Sequence, residues 1–217
     1  MADYELIKRR RKTVGIRIDR HGRVTVIAPT YYTRVQADAF VREHADWIER
    51  KKTQIAAKNP LPELTFRENE KVPLFGKEYF LSLSNGVKVV LQGDRIYLPV
   101  ADPRAALKKY YVRELKNYIF PRIAYYAREM DVVPTDIRIT SACTRWGSCN
   151  GESSLAFCFW LAMCEPTVID YVAVHELSHI LHKNHSQEFW KTVERYYPDY
   201  REARKYLEDK AYFIGLF

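Results

Sequence analysis

Four of the chain's six histidines crowd into eleven positions, at His175, His179, His182 and His185, and the first two enclose a glutamate in the run His175-Glu176-Leu177-Ser178-His179. Residues four apart share one face of an α-helix, so this run sets two imidazoles side by side with a carboxylate next to them, provided the segment is helical. The neighbouring residues support a helix. With His175 at 0° on a helical wheel, His179 falls near about 40° and Glu176 near about 100°, while Ala173, Val174, Leu177, Ile180 and Leu181 fill an arc from about 140° to about 260°. That apolar arc is expected to face a core, which turns the histidines toward a cleft. Pro166 suits the first helical position, and Asn184 suits a left-handed residue after the last turn.

A catalytic zinc takes three protein ligands and leaves a position for water, so a third ligand is required. His182 lies about 10.5 Å of helical rise beyond His175, too far for both to reach one ion at about 2 Å. His185 is better placed, because a chain that turns after Asn184 can bring it back to the metal. An acid such as Glu188 or Glu202 is the fallback. The reading is Zn2+ held by His175, His179 and His185, with Glu176 as the base for an attacking water and an amide bond as the target. Asp170, Ser178, Asn184 and Glu188 are candidates to orient the histidines; Arg145, a tyrosine or the remaining histidine are candidates to steady the oxyanion.

The 217 residues, 47% hydrophobic and 29% charged, are enough to bury a sizeable core. No apolar run approaches the roughly 18 residues that cross a bilayer, and Met1-Ala2-Asp3-Tyr4-Glu5 lacks a signal-peptide core, so a cytoplasmic protein with no membrane span is expected. The net charge of +8 is uneven, since residues 1–60 hold 14 Lys/Arg against 7 Asp/Glu. The run Lys8-Arg9-Arg10-Arg11-Lys12 reads as a solvated strand entry, or as a weak contact with nucleic acid. Cys143, Cys149, Cys158 and Cys164 contain no C-x-x-C pair, which favours reduced thiols on or near strands over a zinc ribbon or disulfides.

Periodicity organises the remainder. Alternation over 13–18 and 24–27 about a His21-Gly22 turn predicts a β-hairpin, and a helical stripe of Val35, Phe40, Val41, Trp47 and Ile48 predicts one helix over 33–58, ended by Asn59-Pro60-Leu61-Pro62. Strands at 79–83, 87–91 and 95–98 between glycine turns read as an antiparallel meander. A long helix from Pro103 toward Met130 carries an aromatic stripe, with Pro121 expected to kink or split it. Strands at 137–141 and 154–160 flank a polar turn-rich stretch at 144–153, and helices over 186–196 and 199–212 close the chain. The fold class is α+β, as one compact unit with an N-terminal hairpin, helix and meander region at 1–100 and a catalytic region at 101–217.

Several blocks together carry a resemblance. They are Arg11-Lys12-Thr13, Ala28-Pro29, Trp47-Ile48, Phe75-Gly76-Lys77, Arg145-Trp146-Gly147-Ser148-Cys149, the run from Tyr171 to His179, and Asn184-His185-Ser186-Gln187-Glu188-Phe189-Trp190. With them the chain resembles the YgjP-like metallopeptidases, a bacterial and archaeal group related to SprT-like zinc proteases. The resemblance implies a zincin-like catalytic region with the three histidines as ligands, and a strand before the metal helix that borders the substrate cleft, where an extended peptide adds by backbone pairing. The spacing also mimics the metzincins, but His182 stands where their glycine turns the chain and no Met follows His185 to supply their Met-turn. Two readings of different class follow: a zinc metallopeptidase acting on a peptide or protein, and a nucleic-acid-associated zinc protein, including a protease recruited to nucleoprotein.

Overall fold

In a computed structural model of the chain, residues 3–19, 22–57, 64–141, 145–214 and 216 are described, and they divide into two units, Met1–Pro62 and Glu63–Phe217. The expected turn at His21, the break over Asn59-Pro60-Leu61-Pro62, Thr144 and Cys143 fall wholly or partly outside the described residues. The division lies at 62/63 and not at 100/101. Its cause is a shared core: Val72, Leu81, Ile96 and Leu98 of the meander region are buried with Leu107 and Tyr111 of the helix that follows.

In the first unit, β2 (Gly15–Ile18) pairs antiparallel with β3 (Val24–Pro29), which is the expected hairpin. A further strand, β1 (Tyr4–Arg9), adds parallel to β3 on its other side. Its charged end hides the alternation that Tyr4 and Leu6 begin. Two helices follow, α1 (Arg34–Glu43) and α2 (Ala45–Ala57), where periodicity predicts one. The interruption is His44, whose backbone leaves the helical region at φ −102°, ψ 14° and whose ring Nδ1 lies 2.9 Å from the Phe40 carbonyl oxygen. Ala37, Val41 and Ile48 carry the buried stripe, whereas Val35 and Trp47, expected on it, are exposed.

The second unit opens with β4 (Lys71–Leu74), β5 (Lys77–Ser84), β6 (Val90–Gln92) and β7 (Arg95–Pro99), in the order β4-β5-β7-β6. This is a mixed sheet and not the expected meander, because β7 pairs parallel with β5 and displaces β6 to the edge. Burial decides the order: Ile96 and Leu98 of β7 are fully buried, while Val90 and Leu91 of β6 are exposed. The β4–β5 turn has Phe75 at φ 49° and Gly76 at φ 77°, and its N–H groups donate to the carbonyls of Ala162 and Met163. A Cβ on Gly76 would stand 2.5 Å from Cγ of Glu165 and 3.2 Å from its Cα, so only glycine lets this turn dock there.

Asp102 caps α3 (Pro103–Glu129), which continues through Pro121 without splitting. An interior proline costs roughly 3 kcal/mol. Leu115, Ile119 and Ile123 are each fully buried on one stripe spanning the proline, and each such side chain contributes about 1.5–3 kcal/mol, so burial wins. Beyond it, β10 (Ser154–Cys158) is the centre of a three-stranded sheet, parallel to β8 (Asp136–Thr140) and antiparallel to β9 (Gly147–Cys149). The polar stretch at 144–153 thus contains a strand. A 3-10 helix, Phe159–Met163, leads into α4 (Pro166–Leu181), α5 (Gln187–Tyr196) and α6 (Tyr200–Asp209). The last expected helix is shorter than 199–212, ending before a 3-10 turn at Ala211–Phe213. Among the described residues, no helix is long and apolar enough to cross a membrane, and Cys149, Cys158 and Cys164 are in no disulfide.

The docked turn yields a stability test. Gly76→Ala combines a positive φ with a steric conflict at Glu165, and urea denaturation is expected to show a loss of about 2 kcal/mol. Unchanged stability would mean that the turn is free to move away from Glu165.

Candidate metal centre

The helix α4 is buried over most of its surface, from Val168 through Val174 and again at Glu176, Leu177 and Ser178. Its free arc carries His175 and His179, which are half-buried, as the wheel places them. The helix stops at Leu181, and His182 caps it with an extended backbone at φ −130°, ψ 110°. This early stop delivers His185 back to the helix face. Ligand nitrogens of His175, His179 and His185 all lie within 4.8 Å of one another, and a group of this kind can hold a metal ion.

Protonation supports that use. The Nδ1 of His179 lies 3.0 Å from the carbonyl oxygen of His182, which can only accept, so the proton sits on Nδ1 and the Nε2 lone pair is free. Burial, then the neighbouring charges of His179, His185 and Arg204, push the His175 pKa down to about 3, and burial likewise lowers that of His179. Both rings are therefore neutral, as ligands must be. The Nδ1 of His175 is 3.4 Å from the Tyr171 hydroxyl, and Nε2 of His175 faces Nε2 of His185 at 3.2 Å. Two tetrahedral ligands at about 2.05 Å from an ion would stand about 3.3 Å apart, so this pair fits a shared cation.

Two of the three competing ligands are engaged elsewhere. His182 points its Nε2 at the Thr192 hydroxyl, 2.9 Å away, and Glu188 pairs with Lys191 at 2.9 Å. Of the proposed orienting groups, Asp170 bonds Arg122, Tyr118 and Tyr126, and the Ser178 hydroxyl donates to the carbonyl of Val174. Tyr171 and the His182 carbonyl take their place at the rings. On the exposed side, His185 stacks on Trp190 at 5.6 Å between centroids, while the fully buried Phe189 meets all three imidazoles from beneath at 4.5 to 5.0 Å.

Glu176 is 5% exposed, and burial lifts its carboxyl pKa to about 8, against the lowering pull of the Arg145 charge and the Cys149 backbone N–H. Its seat is a glycine. A Cβ on Gly147 would lie 2.6 Å from Oε1 of Glu176 and 2.9 Å from its carboxyl carbon, so the carboxyl packs directly on the bare backbone of β9. Two cavities meet at the histidines. One, of about 600 Å³, is walled by Trp146, Val172, Trp190, Arg204 and Leu207; the other, of about 550 Å³, by Ser148, Asn150, Gly151 and Lys183. Arg145, Gly147, His175, Glu176 and His185 border both. The strand that borders the cleft is thus β9. The strand immediately before the helix, β10, is central in its sheet and wholly buried.

A family model described as YgjP-like, metallopeptidase domain, matches residues 12–210. The chain belongs to the YgjP-like family. No curated protein and no solved structure matches it. In this YgjP-like metallopeptidase domain, Gly147, Tyr171 and Trp190 shape the centre although spacing gives them no role. They lie inside the blocks that carry the resemblance, which was the available signal.

The geometry separates the two downstream histidines experimentally. Metal content by plasma mass spectrometry is expected to stay near one ion per chain in His182→Ala and to be lost in His185→Ala. Retention of metal by His185→Ala would exclude His185 as a ligand.

Proposed function

We propose that this metallopeptidase domain is a zinc-dependent peptidase that cleaves extended polypeptide, with His175, His179 and His185 as the ligands and Glu176 as general base. The observation that carries the reading is a carboxyl buried beside three clustered imidazoles at the floor of an open cleft. Three imidazoles suit zinc, and a zinc ion held by them would lower the pKa of water toward about 7 and polarise a carbonyl group. Glu176 takes the proton of the attacking water and hands it to the leaving nitrogen. Burial raises its affinity for that proton, while Arg145 and the Cys149 N–H keep the carboxylate accessible.

The edge strand supplies a way to align a substrate. On either side of β9, Trp146 accepts from the Cys158 N–H and Asn150 donates to the Ser154 carbonyl, so alternate residues face β10. Gly147 therefore turns both its backbone groups to the open side, and Cys149 its carbonyl, its N–H being held by the Glu176 carboxyl. An extended peptide pairing there lies across the histidines with one cavity on either side. The alternative, a nucleic-acid-associated zinc protein, draws on the exposed Lys8, Arg9, Arg10 and Lys12. It leaves the buried Glu176 without a task.

Two substitutions test the assignment. Glu176→Gln is expected to lower hydrolysis of an unfolded protein by about 10³-fold with zinc content unchanged. Gly147→Ala forces the carboxyl off its seat and is expected to lower it by about 100-fold, again with zinc retained. Full turnover in Glu176→Gln would refute the proposed base.

A further inference from the structure

The cleft beside the histidines continues along α6. A neighbouring cavity of about 380 Å³, walled by Trp190, Tyr200, Arg201, Arg204, Lys205 and Glu208, shares Trp190, Arg204 and Glu208 with the cleft of about 600 Å³. The two form one trough. Arg201, Arg204 and Lys205 occupy positions i, i+3 and i+4 of α6, so one helix face lines it with cations. On the far side of the histidines the third cavity adds Lys183, and Arg145 borders the centre itself. Against these five cations the walls hold two carboxyls, Glu176 and Glu208.

Two of these cations are held in place before any ligand arrives. The Arg201 guanidinium lies 4.6 Å from the Tyr200 ring centroid and that of Arg204 lies 5.6 Å from Trp190, on rings that stack at 5.2 Å. Fixing the long side chains in advance reduces the entropy lost on binding. Their carboxylate partners are replaceable: Arg201–Glu194 at 2.9 Å and Arg204–Glu208 at 3.2 Å are solvent-exposed pairs, which contribute little. Among the described residues, Lys205 has no acidic partner.

We propose that α6 is a recognition element for acidic residues, so that the substrate is an extended polypeptide carrying Asp or Glu to one side of the bond that lies over the histidines. Trp146, Val172 and Leu207 line the nearer part of the trough and take an apolar side chain between that bond and the acidic stretch. The proposal rests on the peptidase reading for its choice of ligand, and the test keeps the two apart.

The binding arm uses the zinc-loaded Glu176→Gln chain and two fluorescent peptides that share an apolar centre, one flanked by three Glu and one by three Gln. Anisotropy is expected to show the acidic peptide bound about tenfold more tightly at low salt, with the advantage shrinking as salt rises. The double variant Arg201→Gln/Lys205→Gln is expected to erase that advantage, whereas Lys88→Gln, a charge change in a loop away from the trough, keeps it. Equal affinity for the two peptides overturns the proposal, as does an advantage that survives the double variant. A single-stranded oligonucleotide that outcompetes the acidic peptide and loses affinity in the same double variant also overturns it, in favour of a nucleic-acid ligand. The turnover arm uses the wild-type chain. Cleavage of both peptides at equal kcat/KM defeats acidic selectivity and leaves the peptidase standing, while selective binding with no cleavage defeats the peptidase and leaves α6 standing.

Discussion

The centre depends on the burial of one carboxyl group. Glu176 is almost fully removed from water, and an ionised carboxylate so placed is unfavourable unless donors and charge surround it. The chain supplies the Cys149 N–H and the Arg145 charge, both from the β9 segment, and seats the carboxyl on Gly147, where any Cβ would collide with it. These demands constrain the strand as a whole. It must carry a glycine, it must turn alternate backbone groups outward, and it must lie at a sheet edge, where those groups are not taken by another strand. The features that seat the carboxyl are the same ones that turn the Gly147 backbone groups away from β10.

A helix surrounded by protein on most sides must satisfy each of its polar side chains, and α4 does so one at a time. Asp170 meets Arg122 through two guanidinium nitrogens, at 2.9 and 2.6 Å, together with two tyrosine hydroxyls. Removing one partner from such a network costs more than the pair contributes, because the other is left stranded. Ser178 turns back to the Val174 carbonyl, a bond that leaves its hydroxyl out of the cleft. The consequence is a rigid platform. The two histidines on α4 keep their spacing because Ala173, Val174 and Leu177 on the opposite arc are locked in the core.

The parts legible in the sequence were those that short-range periodicity controls. The 3.6-residue pattern of α4 and the histidine spacing specify where the imidazoles point, and strict alternation specifies the β2–β3 hairpin. Parts governed by distant partners were not legible. The strand β9 reads as a turn because its Gly147-Ser148-Cys149 has no apolar face of its own; it is a strand because β10 pairs with it and α4 lies against it. The parallel pairing of β5 with β7 likewise follows from the depth at which Ile96 and Leu98 are buried, which a local meander pattern cannot encode. Pro121 inverts the case, since a strong local breaker is overridden by a buried stripe on either side of it.

The third histidine differs in kind from the other two. His185 lies beyond the end of α4, is exposed, and has no helix of its own to fix it; what positions it is the Trp190 ring stacked on it from α5. Trp190 also stacks on Tyr200 of α6 and lies under the Arg204 guanidinium, whose charge is among those lowering the pKa of His175. One indole therefore belongs to the support of the metal site and to the wall of the trough. A ligand that draws Arg204 away from the indole changes the packing around His185 and the field at His175 together. If a substrate engages α6 as proposed, Trp190 is the contact through which that engagement would reach the most exposed imidazole.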